Sequence, residues 1–510
     1  MQPIAIDGQH LSIDEVYRTA VHHQSTTLPR EVATRLAASR AMVTRYFDEA
    51  AVVYGVTTGF GRFADVVIPE GDRRQLQLNL IRSHAAGVGD PFLPEVARAM
   101  VLLRANALAK GYSAVRPIVV ERLLDLLNHG ITPMIPSQGS VGASGDLAPL
   151  AHLALVLVGE GRAWFQGEVM SGGEALRRAG LEPVVLEAKE GLALINGTQA
   201  MTALGSLGVH QARVLGDWAD IAGSLTFQVL RGIPDAFRPE VFLVRPHPGL
   251  MQSAAHLRHL VAGSQLTTAP GVLRVQDAYT LRCMPQIHGA SREALTHVAE
   301  VVGREINSAT DNPLFFPDAG EVVSAGNFHG QPVALALDYL GILLAEWANV
   351  SERRIERMVN PALSGLPPFL VEQGGLNSGL MLAQYTAASL VSENKVWAHP
   401  SSVDSIPTSA NQEDHVSMGT TAGRKAHTIL HNTAQVLGIE LICGAQAADL
   451  VGPEKLSAAG RTVYQFVRDR VASWDADRVL SPDLETMAAA ILSAEGEALV
   501  QTLLAGAESV

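Results

Sequence analysis

Cysteine is nearly missing from this sequence: Cys283 and Cys443 are the only two among 510 residues. That excludes a disulfide framework and any CxxC zinc spacing. Two free thiols in a reducing compartment are expected, which places the chain in the cytoplasm, and no metal site is expected. Positive charge is also in deficit. With 38 Lys and Arg against 51 Asp and Glu, the formal net charge is −13. Such a balance repels phosphate backbones and anionic lipid, so neither nucleic acid nor a membrane is expected as a partner. No long basic run occurs, and the pair Arg353-Arg354 reads as a solvated helix face. Long apolar runs are missing too. Residues 151–158 are too few to span a bilayer, and the stretch 335–344 is interrupted by Asp338. Residues 1–12 show no basic start followed by an apolar stretch, so no secretory leader is expected.

What is abundant is Ala and Leu, within an apolar fraction of 47% that includes only 5% aromatics. Both residues lose little side-chain entropy in a helix, so the chain is expected to be mainly α. At this length it needs more than one core or a long helical body. Residues 3–6 before Asp7-Gly8 read as a strand and turn, and residues 51–56 as a strand running into a glycine-rich loop. A helix through Met100, Leu103 and Ala107 should stop at Gly111, and the next should open at Pro117 and end at Gly130. Residues 163–170 suggest a hairpin turning at Gln166-Gly167. Long periodic stretches at 332–359, 381–398, 424–448 and 482–504 predict a central helical bundle. The expected division is a smaller mixed α/β domain over 1–111 and a helical-bundle domain over 112–510.

The chemistry is concentrated in a few segments. GSVGASGDLAPLAH, residues 139–152, is glycine-rich and precedes an apolar helix that Ser144 or Asp146 could cap, with Pro149 in its first turn. Taken alone it is an ordinary helix start or a phosphate cradle, and the Lys-[Ser/Thr] of a P-loop is missing. Tyr54 sits in YGVTTGFG, where a lone Tyr beside glycines is commonly packing or a hinge contact. His84 in RSHAAG and Asn196 in ALINGT read singly as a satisfied histidine and an Asn-Gly turn. In RVQDAYTLRC, helical spacing would put Gln276, Tyr279 and Arg282 on one face, which is either plain polar surface or an amide, a phenol and a guanidinium presented together. Phe328 in GNFHG reads as buried packing on a loop, and Glu413 in SANQEDHVSM as part of a solvated or capping acidic pair.

The run GSVGASGDLAPLAH resembles the signature of the aromatic amino acid ammonia-lyases, and the likeness extends over nearly the whole chain. It implies that Ala143-Ser144-Gly145 cyclises and dehydrates to 4-methylidene-imidazol-5-one (MIO), with no external cofactor. The residue types suit that chemistry: Gly145 has no Cβ to keep its nitrogen from the Ala143 carbonyl, and Ser144 carries the hydroxyl that is lost. The positive end of the following helix would favour charge that develops when a nucleophile adds. The resemblance further implies that Tyr54 is the favoured general base and that His84 contacts the substrate ring. Asn196 would lie against the MIO and substrate, Gln276 and Tyr279 around the MIO, and Phe328 beside it. Arg282 would bind the substrate carboxylate, since guanidinium is its natural bidentate partner. Gln412 and Glu413 complete the set.

The Ser-His at 83–84 matches histidine-type members, and the related phenylalanine enzymes carry Gln where Glu413 stands. A carboxylate accepts a hydrogen bond from an imidazole N–H, so L-histidine is the expected substrate and trans-urocanate and ammonia the products. The implied architecture is fumarase/aspartase-like, in a homotetramer with sites shared between subunits. Competing readings are a tyrosine or phenylalanine lyase or aminomutase of the same family and a metabolite-binding scaffold without MIO. A fumarase or aspartase type of lyase is a further alternative, weakened because SSVDSIP at 401–407 lacks the Lys of that signature loop.

Overall fold

A computed structural model describes residues 2–48, 53, 56–59 and 66–507. Among them the chain is mainly α, with short strands confined to small two- and three-stranded sheets. It divides into two units, one of residues 1–210, 298–338 and 400–424, the other of 211–297, 339–399 and 425–510.

The first unit holds all the strands. Ile4–Ala5 pairs in parallel with Thr26–Thr27. The hairpin Arg162–Phe165 and Glu168–Ser171 turns through Gln166 and Gly167, at φ 51° and 82°, the pair of left-handed residues that matches a hairpin's natural twist. At the heart of this unit, Pro94–Ala109 is buried on every face, so it packs as a core helix although it carries Arg98, Arg104 and Asn106. It ends before Gly111, at φ 90°, and Pro117–Asn128 follows and ends before Gly130, at φ 72°, as the capping residues predict. These two helices pack on one another, so the expected domain boundary near Gly111 lies within the first unit. Of the strand expected at 51–56, Val53 and Val56 are described, and Val56 lies in a turn.

The second unit takes most of the long helices. Gln199–Val229, Gln331–Val359 and Gly419–Val451 each begin in the first unit and end in the second, and Met284–Glu305 does the reverse. The last begins earlier than the periodicity suggested, because Gly419 and Gly423 are helical where Met201 and Leu204 leave no room for a side chain. The single helix expected at 482–504 is instead two, Ser481–Ile491 and Ala494–Leu504, bent by 63°. Ser493 Oγ caps the second by accepting from Gly496 N at 3.1 Å, a start signal hidden inside an apolar pattern.

Two helices, Gln331–Val359 and Gly419–Val451, are long and apolar enough to cross a membrane by length and composition. Asp338, expected to interrupt the apolar stretch at 335–344, lies within the first of these and accepts from the Ser401 and Ser402 amides at 2.8 and 2.7 Å. Of their most apolar stretches, 67% and 78% is buried inside the protein. Arg354 corrects a second expectation, for it is fully buried and not on a solvated face. Its guanidinium binds both oxygens of buried Glu440, at 2.6 and 2.8 Å, and Thr226 and Ser351 donate to the same carboxylate. Nearby, Asp220 accepts from His256, His288 and Arg292. Burial alone would raise its pKa, but Arg292 and the two histidines hold it well below the carboxylate norm. Cys283 and Cys443 are free thiols, the latter buried.

Removing one partner of a buried ion pair strands the other. Glu440→Ala is therefore expected to destabilise the protein by about 3–5 kcal/mol, and exposed Arg353→Ala, whose partner Glu352 still accepts from Gln384, by about 1 kcal/mol or less. Denaturant midpoints check both, and equal effects would contradict the assignment of the buried partner to Arg354.

Candidate active site

The tripeptide lies where three segments of the first unit meet. Gly139, Gly142 and Gly145 all have left-handed φ, at 128°, 72° and 72°. At two of them a side chain would also collide: a Cβ on Gly142 would overlap Ser417 Oγ, and one on Gly145 the Gly197 carbonyl. Gly145 and Gly197 form a parallel bridge, with Asp146 N donating to Gly197 O at 2.7 Å. From the other side, Met418 N donates to Val141 O at 3.0 Å, and Ala143 packs with Val416 and Met418.

Asp146 was expected to cap the helix that follows, Leu147–Leu157. It occupies the N-cap position, but neither it nor Ser144 makes that capping bond. Its buried carboxylate instead accepts from the Ala200 and Met201 amides at 2.9 Å each, capping the helix Gln199–Val229, and from Ser140 and Thr420. Burial raises its pKa, and these hydrogen bonds oppose the rise without cancelling it. One side chain thus ties the tripeptide segment to two others.

Glu413 is brought directly to the tripeptide. Ser144 Oγ donates to its Oε1 at 3.3 Å, and Thr408 Oγ1 to its Oε2 at 2.6 Å. It is half-buried and does not cap a helix. It follows a tight turn in which Ser409, Ala410 and Asn411 are all left-handed, at φ 52°, 53° and 69°. Each such residue costs roughly 1–2 kcal/mol, a strain that accumulates at functional sites because it fixes a side chain's direction. Gln412 lies on the same turn, exposed. Of its residue types only Asn411 hints at this geometry, because left-handed turns normally call for Gly or Asn.

His84 ends the helix Arg73–His84 and is half-buried. Its Nδ1 lies 2.8 Å from the Leu80 carbonyl, which can only accept, so that nitrogen carries the proton and Nε2 is left as an acceptor. Burial holds its pKa down against the opposing effects of the Leu80 carbonyl and the Glu413 charge. Asn196 caps the end of the helix Glu190–Ile195, buried, with Gly197 next to it on Gly145. Phe328 is on a turn as expected but only half-buried.

Gln276, Tyr279 and Arg282 belong to the second unit. The helix expected to carry all three is a single turn, Tyr279–Arg282, and Gln276 precedes it on an irregular, exposed stretch. Arg274 and Asp277 pair at 2.5 Å, and Asp277 accepts from Ile233 N, which holds the chain out of helical form before Ala278. Tyr279 is 69% exposed with the Arg282 guanidinium 4.8 Å over its ring, and Arg282 Nε donates to Asp277 O. Tyr54 lies outside the described residues. Two buried residues beside Asn196, Lys189 and Asp311, escaped the sequence reading. Asp311-Asn312-Pro313 is a turn signal that could have drawn attention, whereas Lys189 gives none.

A family model described as aromatic amino acid lyase matches residues 11–469. The chain is 58% identical to the histidine ammonia-lyase of Symbiobacterium thermophilum over 496 residues, covering 97% of this chain and 98% of that one. Among solved structures it is similar to histidine ammonia-lyase from Trypanosoma cruzi, with a TM-score of 0.92 and 42% identity over 100% of this chain and 98% of that one. It is also similar to tyrosine aminomutase from Streptomyces globisporus, with a TM-score of 0.94 and 39% identity over 100% and 99%.

Both the left-handed φ and the Gly197 contact require glycine at 145. Gly145→Ala is expected to cost several times the destabilisation of Gly167→Ala, where φ is equally left-handed but the space is open. Thermal denaturation of the two variants checks this, and equal losses would contradict the close approach.

Proposed function

The chain belongs to the aromatic amino acid lyase family, and on that premise we propose that it eliminates ammonia from L-histidine to give trans-urocanate. It has the family's mainly α, fumarase/aspartase-like fold. Backbone likeness does not choose the substrate, since an aminomutase for tyrosine superposes as well as a lyase for histidine. Identity over nearly the full length favours histidine. The observation that carries the choice is the Glu413 carboxylate 3.3 Å from Ser144 Oγ.

The residues at 143–145 fit the MIO group. Gly145 has the conformation and clearance that only glycine allows, Ser144 presents its hydroxyl, and the amide oxygen of Asn196 is buried without a partner. Once formed from these three residues, the group would supply an electrophilic carbon to the substrate amine, a capability no ordinary side chain has. The remaining work falls to the chain's own side chains. With the Ser144 hydroxyl gone, Glu413 Oε1 is released to accept an imidazole N–H, while Thr408 still holds Oε2 and so fixes the carboxylate's direction. Neutral His84 offers Nε2 as an acceptor to the same ring. Arg282 pairs with the substrate carboxylate, Gln276, Gln412 and Phe328 line the site, and Tyr54 or Tyr279 takes the β-proton. The exposure of Tyr279 and Gln276 supports a homotetramer whose sites are completed by neighbouring subunits. The free thiols support a cytoplasmic enzyme.

Purified protein given L-histidine is expected to release urocanate and ammonia in equal amounts. Turnover of tyrosine or phenylalanine instead would overturn the substrate assignment. Ser144→Ala is expected to abolish turnover while leaving the fold intact, checked by urocanate absorbance alongside circular dichroism. Glu413→Gln keeps the shape but loses the charge and is expected to lower kcat/KM for histidine by about 10-fold or more, the worth of one charge-assisted hydrogen bond. Unchanged kinetics in that variant would remove the specificity argument.

A further inference from the structure

Lys189 is fully buried and sits in a left-handed conformation, φ 73°, at the start of the helix Glu190–Ile195. Both features are costly for lysine, so its surroundings must compensate. Its ammonium lies 2.7 Å from Asp311 Oδ2 and 3.5 Å from the Asn312 carbonyl. The other Asp311 oxygen, Oδ1, accepts from Asn312 N at 2.7 Å and from Asn196 Nδ2 at 3.0 Å. Asn196 Nδ2 also donates to the Asn312 carbonyl at 3.2 Å. Turning the amide over would set its oxygen against two acceptors, so its orientation follows from chemistry. Both hydrogens of Asn196 are therefore committed, and among the described residues nothing donates to its buried oxygen.

We propose that Lys189 and Asp311 are positioning residues that hold the Asn196 amide with its oxygen free to accept a hydrogen bond from the amino group of the substrate. This rests on the amino acid elimination proposed above. Asp311 accepts on both oxygens, and with both side chains buried Lys189 supplies its countercharge, with Arg104 as a second cation nearby. Arg104 uses Nη1 on the Asn196 carbonyl at 2.9 Å and Gln199 Oε1 at 2.6 Å, whereas the ammonium of Lys189 hydrogen-bonds Asp311 directly. Without Lys189, Asp311 loses the contact that fixes its Oδ2, and the Asn196 amide loses the reason for its orientation. The helix between Lys189 and Asn196 is otherwise clamped, by Arg116 on buried Glu190 and by Gln77 on the Gly191 amide, so the change is confined to the amide's direction.

The test is a double-mutant cycle on the full-length enzyme, with L-histidine as substrate. Lys189→Met and Asn196→Ala should each lower kcat/KM by about 10²-fold, the scale of a group misplaced by 1 Å. The pair together should be no worse than Asn196→Ala, because Lys189 acts only through that amide. Intact mass of each variant should still show the loss of two water molecules. Additive losses, or full activity in Lys189→Met, overturn the proposal. If Lys189→Met does not fold, Asp311→Asn enters the same cycle with the same two readings. An unmutated enzyme that makes no urocanate would instead refute the reaction, so the two failures are distinguishable.

Discussion

The site depends on a place where two backbones come closer than any side chain permits. Gly145 and Gly197 face each other in a parallel bridge, and a Cβ on either would strike a neighbouring group. That contact sets Asn196 beside the tripeptide and puts the Asp146 amide on the Gly197 carbonyl. It also leaves Asp146's carboxylate free to cap the helix Gln199–Val229 from the adjoining segment. In the ring closure proposed for the tripeptide the glycine nitrogen would approach a carbonyl two residues back, so the absence of a Cβ would serve that chemistry as well as the packing.

Around this contact the protein uses buried charge as a framework. Asp146 collects four donors, Asp311 joins Lys189 to Asn196, and in the second unit Glu440 and Asp220 are each satisfied by several partners. Such groups add little net stability, since desolvation offsets most of their attraction. What they contribute is direction, because each carboxylate can be satisfied in one arrangement only. The left-handed turn at 409–411 works in the same way, with backbone strain in place of charge.

How much of this was legible in the sequence depends on the range of the cause. Helix ends at Gly111 and Gly130, the hairpin at Gln166-Gly167 and the bundle-forming helices follow from local rules that residues a few positions apart express. The break at Ser493 was hidden because an apolar stripe continued across it. Arg354 looked solvated because its partner, Glu440, is far along the chain, and the helix expected through Gln276 failed because Asp277 is drawn to Ile233 and Arg274. At the site, Ala143, Ser144, Gly145 and Glu413 were recognisable through a family signature. The junction of Lys189, Asp311 and Asn196 was not, since a buried lysine is visible only once tertiary contacts exclude water from it.

The proposed chemistry requires Ala143, Ser144 and Gly145 to close into the electrophilic ring beside Glu413. Peptide mapping of enzyme that is turning over L-histidine tests this most directly. The fragment spanning residues 139–152 is expected to be lighter than its sequence by two water molecules. The same fragment at its full linear mass, in protein that makes urocanate, would contradict it.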